Sequence, residues 1–159
     1  MDKKIITLMA VIAVVISIAS VYAVETTNHD FDGLFKMDVP VDENLTNPVE
    51  DGQYAPNLCA NAEYSGENIS IFYYNESSMS TDFKADNLTD YLPQMLKSNS
   101  VYMNEPSIDG NLYIWNNTSG GSSNGAYLVG IPSEDASELV CVEGNNLDDL
   151  KTFTNSVQF

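Results

Sequence analysis

Residues 107–115 read "SIDGNLYIW". Successive side chains of a strand point to opposite faces. Leu112 and Ile114 therefore share one face, and Tyr113 and Trp115 share the other. Neither face is polar. Residues 126–131, "AYLVGI", repeat the pattern, with Tyr127, Val129 and Ile131 set against Ala126 and Leu128. A sheet that is apolar on both faces needs cover on both. Asp109-Gly110 begins the first of these strands with a pair that accepts the positive φ of a type I′ hairpin turn.

Working outward, "FDGLFKMDVP" (31–40) reads as a turn and a strand, with Phe35, Met37 and Val39 opposing Leu34, Lys36 and Asp38. "LCANAEY" (58–64) and "NISIFYYN" (68–75) read as paired strands joined through Ser65-Gly66-Glu67. The period changes in "NLTDYLPQMLKSN" (87–99), where Leu88, Tyr91, Leu92, Met95 and Leu96 mark one helical face. Pro93 fits a helix that starts near Thr89 or Asp90, because the first backbone N–H groups need no intrahelical partner. "AYLVGIP" and "ELVCVEG" are strands joined through Ser133-Glu134-Asp135. The last segment, "NNLDDLKTFTNSVQF", opens on an Asn cap with two Asp in the first turn, where the helix dipole favours anions. Leu147, Leu150, Phe153 or Thr154, and Val157 continue its apolar face. Residues 24–30, "VETTNHD", lack periodicity and read as a polar tether. The order is β-β-β-α-β-β-β-β-α. It predicts an α+β domain over 31–159, an α-β-α sandwich around a twisted, mainly antiparallel sheet, after an N-terminal apolar helix.

This arrangement resembles the PsbP/Mog1-like domains. "FDGLFKMDVP" matches their opening F-x-x-x-F-x-h-x-hP strand (h is hydrophobic), "LTDYLPQML" their mid-chain helix, and "IDGNLYIW" their hDG-x-x-hhh hairpin. "NSVQF" matches their closing S-hydrophobic-x-F. The resemblance covers 31–159 and consists mostly of structural punctuation. It implies the same sandwich and an accessory or binding scaffold, with no catalytic residues to carry over.

Before this domain, Lys3 and Lys4 precede an uncharged run from Ile5 to Ala23. As a helix it would span about 28 Å, close to the hydrocarbon thickness of a bilayer. The length favours a retained anchor, while the Val21-Tyr22-Ala23 ending favours signal-peptide cleavage. Both readings leave the lysines inside and carry the rest across. The expected protein is thus extracytoplasmic, either secreted or anchored through 5–23, with a slight lean toward the anchor.

The chain carries a net charge of −17, and without residues 1–23, whose Asp2, Lys3 and Lys4 sum to +1, this becomes −18. The remaining cations are Lys36, Lys84, Lys97 and Lys151, and there is no arginine. Such a surface excludes nucleic-acid binding, which needs a basic footprint. It also disfavours anionic lipid headgroups and phosphate or carboxylate substrates.

Catalytic inventories fail as well. His29 is the single histidine and lies in the expected tether, so no Ser-His or Cys-His unit can form around it. One His and two distant Cys give no zinc spacing. Asn28, Asp30, Asp32 and Gly33 fall in register with an EF-hand loop, but its last position is Val39 where a bidentate Glu is required. Gly120-Gly121 is followed by serines rather than Lys-Ser/Thr, which excludes a phosphate-binding loop. No cofactor or metal is expected. The expected function is a non-catalytic cell-surface accessory or binding module for an envelope protein or glycan. The alternatives are a structural envelope component and, last, a carboxylate-based hydrolase.

Two kinds of modification are expected. Six sequons begin at Asn44, Asn68, Asn75, Asn87, Asn116 and Asn117, and such triplets matter in an exported chain. Cys59 and Cys141 form a candidate disulfide. Strand alternation puts Cys59 with Asn61 and Glu63, and Cys141 with Leu139 and Glu143, so both sulfurs are expected on the more polar side of their strands. Export to an oxidising compartment would favour a bridge there.

Overall fold

The structure, a computed structural model, describes residues 24–47, 58, 60–78, 88–90, 92, 105–117 and 125–159. Strands β1 (Thr26–Phe31) and β2 (Phe35–Pro40) form an antiparallel hairpin. Strands β3 (Ala62–Ser65), β4 (Ser70–Asn75), β5 (Ser107–Asp109), β6 (Leu112–Asn116), β7 (Tyr127–Pro132) and β8 (Glu138–Gly144) form one sheet in the order β3-β4-β8-β7-β6-β5. Every described pairing is antiparallel. Helix α1 (Leu147–Asn155) follows β8, and Leu88, Thr89, Asp90 and Leu92 are helical between β4 and β5. The fold is therefore α+β.

The period-two pattern places its residues as read. Leu112, Ile114, Val129, Val140, Val142, Ile71 and Tyr73 share one core with Leu150 and Phe153 of α1 and Phe31, Phe35, Met37 and Val39 of the hairpin. Trp115, Leu128, Leu139, Cys141, Phe72 and Tyr74 belong to a second core with Leu88 and Leu92. Rings join the hairpin to the larger sheet. Phe31 and Phe35 stack at 4.6 Å, Phe35 stacks on Tyr73 at 5.8 Å, and Phe31 meets Tyr64 edge-on at 4.8 Å. Such pairs contribute about 0.5–1.5 kcal/mol each beyond their buried area.

The stretch expected to be a polar tether is largely β1. Its residues from Thr26 to Asp30 are all exposed, so no face is buried and no alternation is written into the sequence. Backbone pairing with β2, from Thr26↔Pro40 to Phe31↔Phe35, holds it instead. The acids that fall in register with a calcium loop serve the hairpin. Asp32 and Gly33 turn the chain at φ 56° and 74°. Asp30 Oδ1 accepts the Gly33 N–H at 2.8 Å, and Asp32 Oδ2 accepts the Tyr64 hydroxyl at 2.6 Å.

The second expected hairpin also shifts by one residue. Asp109 pairs with Leu112, so Gly110-Asn111 is the turn. Of these two only Gly110 has positive φ, at 62°, as in a type II′ turn with Gly first.

Helix α1 begins as the sequence predicts. Asn146 is the cap, and its side chain accepts from the N–H groups of Asp148 and Asp149. After α1 the chain returns to the hairpin. Lys36 and Gln158 exchange backbone hydrogen bonds at 2.9 and 2.8 Å, and the Asp38 N–H donates to Ser156 Oγ at 2.8 Å. No helix among the described residues is long and apolar enough to cross a membrane, and the run 5–23 lies outside them.

Candidate functional site

Three segments distant in sequence meet at one end of the first core. Past β2, Val41 N–H donates to Glu25 O and Glu43 N–H to Pro40 O, a turn that presents Asp42 and Glu43. The β3–β4 turn closes by Gly66 N–H to Ile69 O at 2.9 Å and presents Asn68. The start of α1 adds Asn145, Asn146 and Asp149. Between them lies a cleft of about 320 Å³, floored by Ile69, Leu150 and Phe153, with Val24 and Pro40 at its side.

Glu43 holds the cleft together. Its carboxylate accepts from Asn68 N–H at 2.7 Å, Asn68 Nδ2 at 3.0 Å and Ile69 N–H at 3.4 Å. The fit to Gly66 is close, since a Cβ there would lie 2.0 Å from Glu43 Oε1 and would push the carboxylate aside. At the helix end, Asn146 Nδ2 donates to Asp149 Oδ2 at 2.6 Å, and Asn145 Oδ1 accepts the Ala126 N–H at 3.1 Å. Asp42 is exposed at the rim. An apolar floor under convergent polar groups is the usual composition of a ligand pocket. The lining holds carboxylates, amides and hydrocarbon, and no hydroxyl, thiol or imidazole side chain. It can attract positive charge and exchange hydrogen bonds, and it holds no Ser-His or Cys-His pair.

A second polar group lies on the opposite face of the sheet. Glu63, Ser70 and Glu143 are buried there, with Ser70 directly opposite Glu143 in the ladder. Ser65 Oγ donates to Glu63 Oε1 at 2.8 Å. These carboxylates are only 2% and 4% exposed, so they sit inside the fold rather than at an open cleft.

Among the described residues no group of three or more His, Cys, Asp or Glu side chains is arranged to hold a metal ion. His29 lies exposed on β1, its ring 4.6 Å from Phe31. Cys141 is a buried free thiol, and Cys59 lies outside the described residues. Cys141 shares its face of β8 with Leu139 and Glu143, as read, but that face is sealed, with Phe72, Leu128, Leu139 and Trp115 in the same cluster. Desolvation pushes its thiol pKa far up, which keeps it protonated.

The sequons separate by environment. Asn44, Asn68 and Asn116 are exposed. Asn68 is bound to Glu43, Asn75 Nδ2 donates to the Tyr73 hydroxyl at 3.1 Å, and Asn117 Nδ2 donates to Gly125 O at 3.1 Å. Asn87 lies outside the described residues. The sequence reading missed the cleft because its polar residues come from three segments that share no local motif. The one legible part was the Asn-cap pattern that starts α1.

Comparison with known protein families, with curated proteins and with solved structures finds no match to this chain.

Proposed function

We propose that residues 24–159 form an extracytoplasmic, non-catalytic binding module whose ligand site is the cleft between Asp42, Asn68 and the start of α1. The observation that carries this reading is the composition of that cleft, a buried apolar floor under a rim of carboxylates and amides without a hydroxyl, thiol or imidazole side chain. The charge of −17 points the same way, toward a neutral or cationic ligand, an envelope protein segment or a glycan. In the finer architecture we propose, the sheet is the middle layer of an α-β-α sandwich of PsbP/Mog1-like type. The two cores on opposite sheet faces, each with helical residues in it, support that reading. The leader 1–23 exports the domain and, in the reading we favour, stays as its anchor. A hydrolase built on Glu63 and Glu143 is less favoured, because substrate would have to reach side chains buried in the sheet face.

The test is amide chemical-shift mapping of the isotopically labelled domain against two probe sets, oligosaccharide fragments of the native envelope polymer and lysine-containing peptides from envelope proteins. The expected result is saturable shifts at Asp42, Asn68, Asn145 and Leu150 with one set, abolished by Asp42→Lys at unchanged melting temperature. Saturable shifts confined to another face, or none with either set, would sink the cleft as the site.

A further inference from the structure

We propose that Asn44 is an N-glycosylation site and that Asn68 and Asn75 are not. The three sequons share the Asn-x-Ser/Thr triplet, and their full triplets lie among the described residues. Their folded environments differ. Asn44 is exposed in the segment after β2, and its side chain makes no hydrogen bond within the described structure. Its neighbours fix the backbone around it. Leu45 packs against the first core, and Thr46 exchanges backbone hydrogen bonds with Ser65 at 3.0 and 2.8 Å. A sugar on the Asn44 amide therefore projects into solvent without displacing a native contact, from a site whose backbone is held.

The other two amides are committed. Asn68 is exposed as Asn44 is, but it meets Glu43 through both its N–H and its Nδ2, so a glycan there would crowd the carboxylate that ties the two loops together. Asn75 is half-buried, and its Oδ1 accepts from the N–H of Ser77 at 3.0 Å and from its hydroxyl at 2.6 Å. That hydroxyl is the third member of its own sequon and is bound to the acceptor residue, whereas the Thr46 hydroxyl of the Asn44 sequon donates away from it, to Ser65 O at 3.2 Å. The triplet of Asn116 ends on Thr118, outside the described residues, and is left aside.

The transfer needs a lipid-phosphate-linked oligosaccharide as donor. A bond forms between Asn44 Nδ2 and the sugar C1. The C1–O bond to the phosphate breaks, the phosphate leaves with the bonding pair, and one amide proton is lost to base. The product is a secondary amide that keeps one N–H.

Glycopeptide mass spectrometry of the full-length protein isolated from its native envelope tests the assignment. The expected result is a glycan mass on the peptide carrying Asn44, with those carrying Asn68 and Asn75 unmodified. Asn44→Gln should remove that mass without moving the melting temperature, and Thr46→Ser should retain it. An unmodified Asn44 peptide overturns the proposal, as does equal occupancy at Asn68 or Asn75. Because this readout does not involve the cleft, its failure leaves the ligand-binding proposal standing or falling on its own test.

Discussion

Cys141 illustrates how far a single residue's chemistry depends on which face it occupies. Alternation along β8 pairs it with Leu139 and Glu143, as the sequence says, but that face is sealed. Iodoacetamide should leave Cys141 unmodified in native buffer and label it in guanidinium without reductant. Labelling that required reductant would instead demonstrate the Cys59–Cys141 bridge. Asp30 makes a prediction of a different kind. The Gly33 N–H, and then Lys36 at 3.4 Å, hold its carboxyl below the usual aspartate range. A depressed folded-state pKa adds stability above the unfolded value of about 3.9, and that contribution disappears as pH falls through the folded value. The melting-temperature advantage of the wild type over Asp30→Asn should therefore shrink below about pH 4. The effect is small because both charges are half-exposed. An advantage that is constant from neutral pH to acid would refute the assigned cause.

At the level of elements, α1 is the best-read piece of the chain. Its cap, its first-turn acids and its buried Leu150 and Phe153 all follow from the residues in order, because each depends only on neighbours within a turn or two. Asn146→Ala removes the acceptor for Asp148 and Asp149 N–H and the donor to Asp149, and should cost about 1 kcal/mol in urea unfolding. A loss well under about 0.3 kcal/mol would mean that solvent replaces the cap at no cost. The contrast is β1. Its length and pairing are those of a strand, yet every residue of it before Phe31 is exposed. Periodicity reports burial, so a strand without a buried face carries no periodic signal. The hairpin at Gly110 failed by one residue for a related reason. Asp-Gly and Gly-Asn both accept a tight turn, and the register of β5 against β6, with Asp109 opposite Leu112, selects Gly-Asn.

For the whole molecule, β1 (Thr26–Phe31) lies ahead of the expected domain start at Phe31 and pairs with β2. Phe31 is fully buried and β2 takes its partner from β1, so a chain beginning at Val24 should unfold in one cooperative transition. A chain beginning at Phe31 should melt at a clearly lower temperature, since β2 then loses its β1 partner. Equal melting temperatures would return β1 to the status of a tether. From residues alone come the class of fold, the two apolar sheet faces, the α1 cap and the strongly negative net charge. Each is either a composition or a relation between residues a few positions apart. Tertiary structure alone decided that the sheet runs β3-β4-β8-β7-β6-β5, that Cys141 faces core, and that Glu43 reaches Asn68 across 25 positions to close a cleft. Those are relations between segments brought together only when the cores pack, and no local pattern of side chains encodes which loops will meet.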